Sequence, residues 1–261
     1  MGAPTSGPVP GVGHHDPVRN GSTERLTAER ARGALVVVVG VLVVYTFARR
    51  WVGFDGWVGV VAPLSVAALC VAAALAAGLD RPAVGLDRAD VGSGLRRGGA
   101  WFAAIASGVV IAVAIPATRH AFEDTRVAVS AWSMLATTLV VIPLGTVVPE
   151  ELIFRGSILG LAQGWLGTRR GRGLSALLFG LWHIAPTLST ATGNAATADV
   201  AASAWGLAAT TTLMVLAMTA AGWFLDHVRI RSGSVAAPML VHFATNSVTF
   251  AAAWAVGHYG W

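Results

Sequence analysis

Pro149-Glu150-Glu151-Leu152-Ile153-Phe154-Arg155-Gly156 is the stretch on which the reading of this chain turns. No ionisable residue precedes it from Val127 to Val148, and the chain is apolar again from Gly156 to Leu166. Two adjacent carboxyls and one guanidinium therefore sit inside a run long enough to cross a bilayer. A charged side chain at the centre of a membrane helix costs about 2.5–3.5 kcal/mol on insertion scales. Such groups persist where they pair or do chemistry, so the sequence must contain residues that come to meet them.

Outward from this stretch, the 261-residue chain is 55% hydrophobic and 12% charged, with a mean hydropathy of +0.66. The apolar residues fall into blocks at about 33–48, 57–79, 101–117, 127–148, 150–166, 173–188, 204–225 and 235–256. Blocks of about 16–24 residues are of the length that spans hydrocarbon. They predict an all-α polytopic membrane helix bundle with seven to eight transmembrane helices, an integral multi-pass protein of the cell membrane. The alternating segments of a transmembrane β-barrel are absent.

Residues 1–32 are polar and rich in Gly and Pro, and they read as a disordered, cytoplasmic-type tail. His14 and His15 within it bind metal adventitiously at most. Residues 33–261 read as one transmembrane domain whose motif-bearing core is about 127–256. The net charge of +5 is carried entirely by arginine at block ends, the pattern of interfacial anchors and topology signals and not of a nucleic-acid surface. Cys70 is the only cysteine, which excludes an internal disulfide and a cysteine-built metal site. Pro149 predicts a helix break at Val148-Pro149 with a new helix starting at Glu150. The charges leave orientation open: eight crossings place Arg169–Arg172 outside, whereas one crossing plus a broken piece over Val127–Leu166 places that loop and Arg229/Arg231 inside.

Few polar residues lie away from the tail and loops. Among the acids these are Glu150 and Glu151; among the histidines, His183 and His242; among the asparagines, Asn246; and Arg155 is the arginine farthest from any block end. Intramembrane polar residues face the bundle interior and pair with each other, so these predict one shared cavity. Glu151 and Arg155 are i,i+4 and share a helix face as an ion pair. Glu150 is rotated about 100° away and is left to face the cavity. His242 and Asn246 repeat the i,i+4 spacing, as do Phe179 and His183, with Gly180 between them allowing close helix approach.

A carboxylate, two imidazoles and a carboxamide suit water activation. Glu150 acts as general base, and His and Asn donate to a developing oxyanion. A second possibility is Zn²⁺ held by Glu150, His183 and His242 with an open position for water. Both give peptide hydrolysis within the membrane, the substrate being a membrane-associated peptide or protein and the surroundings the lipid bilayer. Two competing classes are a non-catalytic immunity or partner-binding membrane protein and a proton- or cation-coupled transporter.

Glu-Glu-x-x-x-Arg at Glu150–Arg155, Phe-x-x-x-His at Phe179–His183 and His-x-x-x-Asn at His242–Asn246 occur in this order on separate apolar blocks. In this the chain resembles the CAAX protease and bacteriocin-processing (CPBP, or Abi) intramembrane proteases, to which the type II CAAX prenyl endopeptidase is related. Pro149, Phe154-Arg155-Gly156 and Ser232-Gly233-Ser234 before Pro238 and His242 extend the likeness, which covers about Val140 to Val248. The resemblance implies that Glu150 activates water, that His183, His242 and Asn246 surround the water and oxyanion, and that Glu151 and Arg155 support them, with Phe179 beside the site. It implies a glutamate-type protease needing no cofactor, or a metal-dependent one. The family also contains immunity and scaffold proteins.

Overall fold

The computed structural model describes residues 26–52, 56–124, 127–191 and 195–259, and among these no strand forms. Seven long helices carry the fold: α1 (Ala28–Val52), α2 (Val58–Ala76), α3 (Val91–Ala114), α4 (Ala131–Leu166), α5 (Thr168–Trp182), α6 (Ala204–Ser232) and α7 (Ala236–Tyr259). All but α5 are long and apolar enough to cross a membrane. The chain is thus a multi-pass helical membrane protein, as its apolar blocks predict. His14, His15 and most of the expected tail lie outside the described residues; α1 already begins at Ala28, before the apolar block proper.

The expected break at Pro149 does not form. α4 runs on through both Pro143 and Pro149, because widened π turns at Thr137–Val141, Pro143–Val147 and Leu152–Ile158 flank them. A proline inside an α-helix lacks an N–H and its ring strikes the preceding turn. A π turn widens the backbone locally and absorbs that insult. The consequence is one crossing that carries Pro149, Glu150 and Glu151 in its interior.

A second expectation is also corrected. The polar run Asp226–Ser232 is not a loop but the last two turns of α6. Gly233 ends that helix in the left-handed conformation at φ 75°, and a Cβ there would strike the Asp90 carboxyl.

Small residues set the helix spacing, as they do where lipid removes the hydrophobic incentive to associate. A Cβ on Gly98 of α3 would meet the Ala237 backbone at 2.8 Å, and one on Gly222 of α6 would meet Ala176 at 3.1 Å. The interior behind them holds Val38, Phe154, Ile158, Leu161 and Phe179. Valines and leucines such as Val44, Val110, Leu139 and Leu213 face outward, towards lipid.

The contacts also sort the two ends. Leu26 and Ala31 pack on Gly164, Leu79 packs on Gly160, Ser234 packs on Gly94, and Arg229 donates to the Pro82 and Ala83 carbonyls. One end therefore gathers Arg30, Arg32, Arg81, Arg88, Arg96, Arg97, Arg169, Arg170, Arg172, Arg229 and Arg231. At the other end Trp51, Trp57, Trp132 and Trp205 stand strongly exposed, an aromatic belt. By the positive-inside rule the arginine end is the one expected in the cytoplasm. Trp254 stands apart from this belt: it is buried, donating from Nε1 to the Val129 carbonyl at 2.9 Å.

Candidate active site

Consecutive residues on a helix point about 100° apart, and Glu150 and Glu151 do enter different surroundings. Glu151 is wholly buried; its Oε1 accepts from Arg155 Nη1 at 3.1 Å and from His242 Nδ1 at 2.8 Å. The second bond joins α4 to α7 across 91 residues of sequence. His242 is oriented at both nitrogens, because Nε2 lies 3.1 Å from the Asn246 amide nitrogen, which donates to it. The i,i+4 spacings read from the sequence thus operate as two consecutive links, Arg155–Glu151 and His242–Asn246, joined by a third.

Arg155 is also fully buried and has more partners than its one predicted glutamate. Nη2 donates to the Gly222 carbonyl at 3.3 Å, and the guanidinium carbon lies 4.1 Å from the centre of the Phe179 ring. Nε lies 3.4 Å from Asp226 Oδ1, and Ser175 Oγ donates to the same oxygen at 3.3 Å. Asp226 is completely buried.

Glu150 is half-buried, and its Oε1 accepts from the Trp182 indole N–H at 3.0 Å. Its Oε2 is buried without a hydrogen-bond partner. A buried carboxylate oxygen without a partner is unusual in a folded chain; Glu151 Oε2 and Asp226 Oδ2 share that state, and of the three carboxyls Glu150 is the one expected to take a proton from water. His183 ends α5; its Nδ1 donates to the Phe179 carbonyl at 2.8 Å. That bond leaves Nε2 as the ring's other working atom. Phe179 lies edge-on between the two imidazoles, 4.6 Å from the His183 ring centre and 6.1 Å from that of His242.

The structure therefore brings Glu151, Arg155, Phe179, His183, His242 and Asn246 into one cluster. It does not hydrogen-bond Glu150 to either histidine; Glu150 reaches α5 through Trp182. Among the described residues no three His, Cys, Asp or Glu side chains converge on a point fit for an ion. His242, with Nδ1 on Glu151 and Nε2 on Asn246, has no lone pair to spare for one. The set Glu150, His183 and His242 does not fit Zn²⁺ in this arrangement, and no step is routed through a metal.

Two cavities adjoin the cluster. One of about 370 Å³ is apolar, lies between α1, α4 and α5, and is walled by Leu42, Phe154, Leu178, Leu181 and Trp182. The other, of about 400 Å³, is more polar and reaches Asn246 from the loop that carries Phe122 and Asp124, past Ile142 and Thr245.

Sequence reasoning did not assign Asp226 or Trp182. Trp182 was in view beside His183, inside an apolar block. Asp226 had a subtler signal: Gly222, Asp226, Arg229 and Ser232 recur at helical spacing, and all four are buried on one face of α6.

A helical bundle with a buried Glu–Arg–His–Asn cluster at the junction of four helices defines a polytopic membrane protein with an intramembrane polar site. Residues 130–248, from α4 into α7, match the family described as "Type II CAAX prenyl endopeptidase Rce1-like". The family carries the CAAX-protease resemblance read from the three motifs, and it supports an intramembrane CAAX-type endopeptidase at the level of the family. No curated protein and no solved structure matches the chain.

Proposed function

We propose that this protein is an intramembrane endopeptidase that cleaves a membrane-associated peptide or protein, with Glu150 as the group that activates water. The observation that carries the reading is the buried, unpartnered Oε2 of Glu150, one residue from the Glu151 carboxylate that holds the His242–Asn246 pair. A water on Oε2 gives its proton to the carboxylate as its oxygen attacks the carbonyl carbon of the scissile amide. The C–O bond forms and the carbonyl electron pair moves to oxygen. His183 Nε2 orients the water. The second N–H of the Asn246 amide, not used on His242, donates to the oxyanion. His242 acts through Asn246 and Glu151, which hold its ring. When the tetrahedral intermediate collapses, the C–N bond breaks and the proton on Glu150 passes to the leaving amine. The products are a carboxylic acid and an amine.

The apolar cavity beside Trp182 supports a substrate that presents a hydrophobic group next to the cleaved bond. The name of the family points to prenylated CAAX proteins, and a cavity of about 370 Å³ on the Glu150 side accords with such a group. The test is cleavage of membrane-fraction peptides, including a farnesylated CAAX peptide, by purified wild type and Glu150→Gln in the same detergent. Wild type is expected to cleave and Glu150→Gln to lose at least about a hundredfold in rate, the scale of general-base catalysis. Equal product from both removes the protease reading in favour of a partner-binding role.

A further inference from the structure

The side chain the mechanism leaves unused is Asp226. It comes from α6, which carries none of the three motifs, and it is buried to 0% exposure on the face that also buries Gly222, Arg229 and Ser232. Carboxyls do not persist in such places unless paired. Its Oδ1 approaches Arg155 Nε and accepts from Ser175 on α5, the helix that bears Phe179 and His183.

What Asp226 does follows from the geometry of a guanidinium. Left alone, an arginine and a carboxylate form a two-pronged pair that occupies both carboxylate oxygens. Arg155 does not sit that way. Only Nη1 reaches Glu151, at Oε1; the Nε edge is turned towards Asp226, and Nη2 is on the Gly222 carbonyl. Glu151 Oε2 is consequently without a hydrogen-bond partner, and Oε1 is shared with His242 Nδ1. Two carboxyls thus compete for one guanidinium, and the competition leaves Glu151 free to hold His242.

We propose that Asp226 is a positioning residue: by drawing the Nε edge of Arg155 towards α6 it stops Arg155 closing on Glu151, and so fixes the His242–Asn246 pair that faces the water and oxyanion. The proposal rests on the protease reading above for its consequence and on geometry alone for the hold on His242.

The test is Asp226→Asn, which keeps the shape and the Ser175 contact and removes the carboxylate's pull on Arg155. Two readouts are taken on the same preparation. In the peptide assay, kcat is expected to fall about ten- to a hundredfold with KM within about twofold, the scale of a disturbed hydrogen bond to a charged group at the His242–Glu151 link. In ¹⁵N-histidine NMR, the His242 ring signals, assigned by their loss in His242→Gln, are expected to move, whereas a purely structural carboxyl would leave them in place. If Asp226→Asn does not accumulate, Arg155→Lys replaces it; an ammonium is a point charge that cannot divide its edges between two carboxyls, and the same two changes are expected. Unmoved His242 signals in the folded variant overturn the proposal. If wild type and Glu150→Gln cleave alike, the protease reading fails and the His242 signals alone decide on Asp226. If those two differ while Asp226→Asn keeps wild-type kcat, the positioning role fails and the protease reading stands.

Discussion

Arg155→Ala should be among the most damaging single changes in this protein. The guanidinium is wholly buried and is the shared cation of two buried carboxyls: Glu151 lies at 3.1 Å and Asp226 at 3.4 Å. Its removal leaves both without a counter-charge, frees the Gly222 carbonyl, and opens a void against the face of Phe179. Breaking a buried ion pair by deleting one partner costs about 3–5 kcal/mol, because the remaining charge is stranded. For a chain of this size each kcal/mol moves the midpoint by about 2–4 °C, so the expected fall is roughly 6–20 °C. The assay is thermal unfolding of the purified protein in dodecyl maltoside, followed by tryptophan fluorescence. A fall under about 2 °C, less than 1 kcal/mol on the same scale, would refute the reasoning. Adding Asp226→Asn to Arg155→Ala removes one stranded carboxyl and should recover part of the loss. No recovery would mean that lost volume, not stranded charge, sets the cost.

Other outcomes follow from single contacts. Trp182→Phe keeps an aromatic ring and deletes the N–H that holds Glu150 Oε1; kcat should fall about tenfold, the low end for a hydrogen bond to a charged group, and wild-type turnover would contradict it. Gly180→Ala would place a methyl 2.6 Å from the Val215 carbonyl and against Thr219 Oγ1; overpacking of this kind costs about 1–3 kcal/mol, which the same melting assay reads as a lowered midpoint, and a neutral result would deny the close α5–α6 approach. Orientation is checked with Cys70→Ala as background and a cysteine placed at Arg170 or at Glu123. In intact cells a membrane-impermeant maleimide should label the Glu123→Cys protein and spare Arg170→Cys; the reverse pattern would invert the assignment.

Much of this site could be read in the residue order. Charges within apolar runs marked α4, α5 and α7, and the i,i+4 spacings marked which side chains share a face. The pairs Glu151–Arg155 and His242–Asn246 are bonded as those spacings require. What spacing within one helix cannot reveal is which atoms meet between helices. The bond from His242 to Glu151 instead of Glu150, and the indole on Glu150, depend on the rotation of α5 and α7 about their axes. Hydropathy also ended one helix too soon: Asp226, His227, Arg229 and Arg231 read as a loop because all are polar. In the structure Asp226 and Arg229 point inward while His227 and Arg231 point outward, so a two-faced helix end resembles a loop when its residues are averaged. Pro149 misled for a related reason, since the propensity of a single proline carries no information about the wide turns that accommodate it.

Those wide turns have a consequence for how the chain tolerates change in length. A π turn holds one residue more than the α turn it replaces, so deleting a residue from Thr137–Val141 would tighten the turn and leave everything after it facing as before. The same deletion in a regular stretch of α3 would rotate every later residue of that helix by about 100°. The helix that bears the glutamates thus carries its own slack, upstream of the carboxyls.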